Sequence, residues 1–101
     1  SEEDDLLREI LDLFRKDVAL RLQTIDEALA AKDPEAMWQA AHALRSGAAN
    51  LGAMRVVSLC DALQDLGRSN SIVGADAMHR DLRHACGRAL AELAELNQAP
   101  H

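Results

Sequence analysis

The 101-residue chain predicts an all-α fold, an antiparallel up-down-up-down four-helix bundle spanning residues 1–101 as a single domain. Three observations carry that expectation. Apolar residues recur at steps of three and four along most of the chain, the links between these stretches are short, and no stretch alternates polar and apolar residues as a strand would. At this length one hydrophobic core forms, not two.

From Asp4 to about Ala31, the residues Leu7, Leu11, Phe14, Val18, Leu22, Ile25 and Leu29 mark one face of a long amphipathic helix. Arg8, Asp12, Arg15, Lys16 and Asp26 occupy its other side, and the acidic residues 2–5 suit a helix N-terminus. In the link Ala31-Lys32-Asp33-Pro34-Glu35, Asp33 is placed to cap the next helix, Pro34 to open it and Glu35 to sit in its first turn. This second helix is expected from Pro34 to about Asn50, with Met37, Ala41, Leu44, Ala48 and Leu51 facing the core. Gly52 supplies the left-handed residue that closes it. A third helix, from about Ala53 to Leu66, buries Val56, Leu59, Leu63 and Leu66 and is expected to stop at Gly67. Residues 68–74 read as a loop with Ile72 and Val73 tucked under the bundle end. The last helix, from about Ala75 to Asn97, buries Met78, Leu82, Ala85, Ala89, Leu93 and Leu96 and frays into Gln98-Ala99-Pro100-His101.

Composition excludes several functions. A net charge of −6, with no Tyr, one Phe and one Trp, offers neither the basic surface nor the stacking platforms that a nucleic-acid binder needs. No run reaches the roughly eighteen consecutive apolar residues of a membrane span, and the acidic start Ser1-Glu2-Glu3-Asp4-Asp5 is unlike a signal peptide. The expectation is a cytoplasmic domain without direct membrane contact, excised from a longer chain or trimmed at its start. Cys60 and Cys86 read as small buried hydrophobes. With no Cys-x-x-Cys or His-x-x-x-His pair there is no metal site to expect, and no Gly-rich phosphate loop suggests a kinase.

Chemistry concentrates in the small-residue stretch from Ala40 to Ala53. On helical geometry His42 falls about 140° from the centre of the core stripe and points outward. Trp38, Arg45 and Ser46 lie one turn away from it, and Ala49 one turn further. Gly47 costs about 1 kcal/mol relative to Ala in a helix, and both it and Ser46 are explained here as leaving room for an approaching molecule. A histidine that accepts a phosphoryl group must be neutral at the attacking nitrogen and reachable, and it benefits from a nearby cation. His42 with Arg45 fits that description. His79, His84 and His101 read as ordinary surface residues, His84 lying between Arg80 and Arg88 on one stripe.

The residues His42-Ala43-Leu44-Arg45-Ser46, continued by Asn50-Leu51-Gly52-Ala53, resemble the histidine-containing phosphotransfer (HPt) domain of bacterial multistep phosphorelays. That resemblance implies His42 as phosphoacceptor, Arg45 in the place of the family's assisting Lys, and Gln64 on the next helix as a hydrogen-bond partner of the ring. It implies receiver domains as partners, donating from a phospho-aspartate and accepting in turn. The Mg²⁺ would reside in the receiver, and the chain would need no cofactor of its own. The docking face would comprise Trp38, His42, Arg45, Ser46 and Ala49. The chain departs from the pattern in having Arg45 for Lys, whose planar fork is not equivalent to an ammonium, and Ser46 for a common Gly, whose hydroxyl offers a hydrogen bond to the phosphoryl group. A hybrid sensor kinase, with this domain at the cytoplasmic end of a membrane-anchored protein, is one setting for it. Two other readings remain open at this stage: a helical interaction module that handles no phosphate, and the phosphoacceptor domain of a chemotaxis-type kinase. The Asn-Leu-Gly-Ala continuation is more like the relay type.

Overall fold

A computed structural model describes residues 1–98, and in it the chain forms helices α1 (Glu2–Ala30), α2 (Pro34–Asn50), α3 (Met54–Arg68) and α4 (Ala75–Gln98). No strand occurs among the described residues. Each helix packs on its sequence neighbours, and α1 closes the ring against α4. Of the stretch expected to fray, Gln98 is the last residue of α4, and Ala99 to His101 lie outside the described residues, so His101 is not placed.

The helix boundaries follow from local chemistry. Ser1 Oγ accepts the Asp4 N–H at 3.2 Å, and Asp33 accepts the Ala36 N–H at 3.0 Å with Pro34 opening α2, which satisfies donors that the first helical turn leaves unpaired. Three of the helices end the same way. After α1, α2 and α3 a single residue takes positive φ: Lys32 (55°), Gly52 (72°) and Asn70 (60°). In each case the next residue reaches back to a carbonyl in the last turn: Asp33 to Ala28 (2.8 Å), Ala53 to Ala48 (2.9 Å) and Ser71 to Leu66 (3.2 Å). These are Schellman closures.

Asn70, rather than Gly67, therefore ends α3. Gly67 is a buried residue inside the helix, where a Cβ would lie 2.6 Å from the Trp38 Cβ and 2.7 Å from the Pro34 carbonyl oxygen. Its missing side chain serves close helix approach, which sequence cannot distinguish from a left-handed stop. Gly47 also has a different role from the one expected of it. It faces α1, with Phe14 and Asp17 at ordinary contact distance from a notional Cβ, and lends nothing to access at His42.

Ile25, Met37, Leu44, Leu63, Leu82 and Val56 are the largest apolar side chains fully removed from water, joined by Cys60 and Cys86. Ile72 packs against this core as expected, whereas Val73 is 83% exposed. Leu96, expected inside, is 67% exposed. The reason is a length mismatch. Near the end of α2, Gly47 lies beside Phe14 and Asp17, and the start of α3 lies beside Ala85 and Ala89, so the first turns of α1 and the last of α4 run on past both shorter helices. Leu6 (57%) is exposed at that end too.

His79 is not a surface residue. It is 6% exposed on the α1–α4 seam, where its Nε2 donates to Asp26 Oδ1 at 2.7 Å while Arg83 holds Asp26 Oδ2 at 2.8 Å. It belongs to the buried stripe that continues through Leu82 and Cys86, three and seven residues on. His84 is exposed as expected. Both cysteines are free, and burial pushes the Cys60 thiol up to about 12 and the Cys86 thiol up to about 11.

Two sets of measurements check this account. In thermal melts Gly67→Ala should lose about 1–3 kcal/mol through overpacking, and Gly52→Val about the same through backbone strain. Gly47→Ala should gain up to about 1 kcal/mol from helix propensity. A Gly67→Ala protein as stable as wild type would contradict the close packing. The thiols set the second expectation. Because each ionises at higher pH when folded than its ordinary value of 9.0, the unfolded chain loses its protons first. Their contribution to stability is complete below pH 9 and is lost progressively as pH rises toward 11–12. Urea midpoints at pH 8 and pH 10.5 should differ more in wild type than in a Cys60→Ala, Cys86→Ala variant.

Candidate functional site

The α2–α3 seam carries the predicted site as a ladder of side-chain pairs, with residue numbers falling along α2 as they rise along α3. Arg68 stacks its guanidinium over the Trp38 ring at 4.7 Å. One turn on, His42 Nδ1 meets Gln64 Oε1 at 2.9 Å. One turn further, Arg45 Nε donates to Asp61 Oδ1. Two antiparallel helices in fixed register produce this pattern because three- and four-residue steps return to the same face on each.

The pairs differ in burial. Gln64 is 5% exposed, so its amide is anchored in the bundle, whereas His42 is exposed on the other end of the hydrogen bond. Ser46 and Ala49 are exposed beside it, and Trp38 and Arg45 are half-buried. All of the residues expected at the site are thus brought to one face. The Ser46 hydroxyl donates to the His42 carbonyl oxygen at 3.3 Å, so it is turned along the helix backbone instead of standing free beside the ring.

The His42–Gln64 bond has a chemical consequence. An amide oxygen only accepts, so the proton of the bond belongs to Nδ1 and the neutral ring carries its lone pair on Nε2. A buried acceptor thereby selects the tautomer whose nucleophilic nitrogen lies away from α3. Arg45 is the second departure from expectation. It does not stand beside His42 as a lone cation but is paired with Asp61, at side-chain exposures of 41% and 48%. Asp61 was not singled out in the sequence, although a signal for it existed: it precedes Gln64 by three, the same step that separates His42 from Arg45.

Among the described residues no cluster of three or more His, Cys, Asp or Glu forms a metal-ligand set. A groove of about 530 Å³ lies elsewhere, between the start of α3 and α4, lined by Met54, Arg55, His84 and Arg88 among others and by none of the ladder residues. An exposed imidazole on a convex helix face needs no cavity if its reaction partner is another protein.

The family model of the Hpt domain matches residues 9–99. The chain is similar to the crystal structure of histidine-containing phosphotransfer protein B (HptB) from Pseudomonas aeruginosa PAO1, at 25% identity and a TM-score of 0.85, over 91% of this chain and 80% of that one. No curated protein matches it by sequence. None of the described helices is long and apolar enough to cross a membrane.

The tautomer is directly measurable. ¹⁵N spectra of the neutral ring should show a protonated Nδ1 and an unprotonated Nε2 at His42. Gln64→Leu should shift that balance toward the Nε2–H form that a free histidine side chain favours. A wild-type ring already protonated on Nε2 would contradict the hydrogen bond as drawn.

Proposed function

The chain belongs to the Hpt domain family and is a histidine phosphotransfer carrier of phosphorelays, and from that premise we propose that His42 carries the phosphoryl group, on Nε2. The observation that supports this most strongly is an exposed imidazole whose Nδ1 is held by a buried amide oxygen at 2.9 Å. The partners proposed are response-regulator receiver domains, one as donor and another as acceptor, meeting the face of Trp38, His42, Arg45, Ser46 and Ala49 in the cytoplasm.

The step is a displacement at phosphorus. The Nε2 lone pair attacks the phosphoryl group of a receiver phospho-aspartate, a P–N bond forms, and the acyl-phosphate P–O bond breaks to return the carboxylate. No proton is transferred. The ring keeps its Nδ1–H and becomes cationic as the phosphoramidate forms, and the Gln64 carbonyl dipole is already aimed at that proton where the charge develops. Because the carboxylate leaves as an anion and the phosphoimidazolium is itself a good donor, the reverse reaction on a second receiver uses the same groups. Mg²⁺, supplied by the receiver, would offset charge on the transferring oxygens. Transfer between partners requires no nucleotide site on this chain.

Incubation with a phosphorylated receiver and Mg²⁺ should label wild type and not His42→Gln, while ATP alone labels neither. The label should be acid-labile, as a phosphoramidate is and a phosphoserine is not. His42→Gln should remain folded within about 1 kcal/mol of wild type, the worth of one hydrogen bond. Label on Ser46, or label surviving in His42→Gln, would overturn the assignment, and labelling by ATP and a kinase domain without any receiver would favour a chemotaxis-type role.

A further inference from the structure

The pairing of Arg45 with Asp61 gives the site a component beyond the histidine and its amide. We propose that Asp61 is a positioning residue for phosphotransfer, holding Arg45 through Nε so that the terminal nitrogens of its guanidinium stay available to the phosphoryl group at His42. The inference rests on His42 as phosphoacceptor.

Three features carry it. First, the hydrogen bond to Asp61 Oδ1 is made by Arg45 Nε. A guanidinium offers five N–H groups in a rigid fork, so a bond at Nε leaves four on the two terminal nitrogens, the set suited to phosphate oxygens. Second, α3 mounts the carboxylate one turn before Gln64, just as α2 mounts Arg45 one turn after His42. The same pair of helices therefore orients the nucleophile and the cation together. Third, the pair is close to half exposed on both sides, a setting in which an ion pair adds little to folding. Its consequence lies in where it holds the side chain.

Holding matters because a free arginine samples many rotamers and must give them up when it engages an anion. With Nε fixed, that ordering is complete before the phosphoryl group arrives. The negative charge of Asp61 opposes the incoming dianion only weakly, since the guanidinium lies between the two anions as a bridge, Nε to one and the terminal nitrogens to the other. A lysine would have to serve both anions from one nitrogen, whereas the guanidinium assigns separate nitrogens in a rigid fork to each, which makes Arg in place of Lys a consistent partner for Asp61.

The test is a double-mutant cycle in single-turnover transfer from a ³²P-labelled receiver, with the concentration of this protein varied. Asp61→Asn should lower the maximal rate about three- to tenfold with the half-saturating concentration unchanged within about twofold, a size typical of coupled neighbouring groups. In an Arg45→Ala background the same change should lower the rate no further, because there is nothing left to hold. Asp61→Glu should restore part of the rate, and thermal melts of all variants should match wild type. An unchanged maximal rate in Asp61→Asn, an equal loss in the Arg45→Ala background, or a loss confined to the half-saturating concentration would each overturn the proposal, the last by making Asp61 a receiver contact. Wild type that accepts no label on His42 would instead overturn the phosphoacceptor assignment beneath it.

Discussion

The close approach of α2 and α3 at Gly67 is the constraint on which the functional face depends. With no side chain there, the Trp38 Cβ and the Pro34 carbonyl oxygen occupy space that a Cβ would meet at 2.6 and 2.7 Å. That contact pins the seam at one end and fixes its register, and every lower pair inherits the alignment. A shift of α3 by one turn would bring Gln64 opposite Trp38 or Arg45 and leave the imidazole without its acceptor. The chemistry at His42 thus depends on a residue that contributes no atoms to it.

Among the described residues, polar side-chain groups bridge the α2–α3 and α1–α4 seams. On α2–α3 the ladder is partly solvated, so its charges can still meet an arriving partner. On α1–α4 the His79–Asp26–Arg83 group is built inward from the surface, with His79 buried and Asp26 and Arg83 reaching water. Buried polar pairs add specificity of alignment because misregistered helices would strand them without partners. The α1–α2 and α3–α4 seams are closed by apolar core side chains, which tolerate more than one arrangement.

Much of this was legible in the sequence, and the misses share a cause. The period of α2 gave the outward direction of His42, and Asp33-Pro34 and Gly52 gave its boundaries, because those features act within a few residues of chain. Periodicity fixes a side chain's angle about its own helix but says nothing of what stands opposite. Asp61 and the burial of His79 were missed for that reason, and Gln64 was reached only through the family resemblance. Glycine is ambiguous in the same way: Gly52 satisfies a backbone angle while Gly67 satisfies a neighbouring helix, and the letter is the same. Leu96 had the right angle on α4 but no partner helix at its height.

That inequality of helix lengths divides the molecule's cooperativity. Beyond the ends of α2 and α3 the chain is a two-stranded helical extension with leucines in water, so its amides should exchange with solvent through partial openings of low free energy. His42, Gln64 and Asp61 belong to the four-helix portion, whose amides should open only when most of the core does. Fraying at the far end can therefore proceed many times over while the seam that orients the imidazole stays closed.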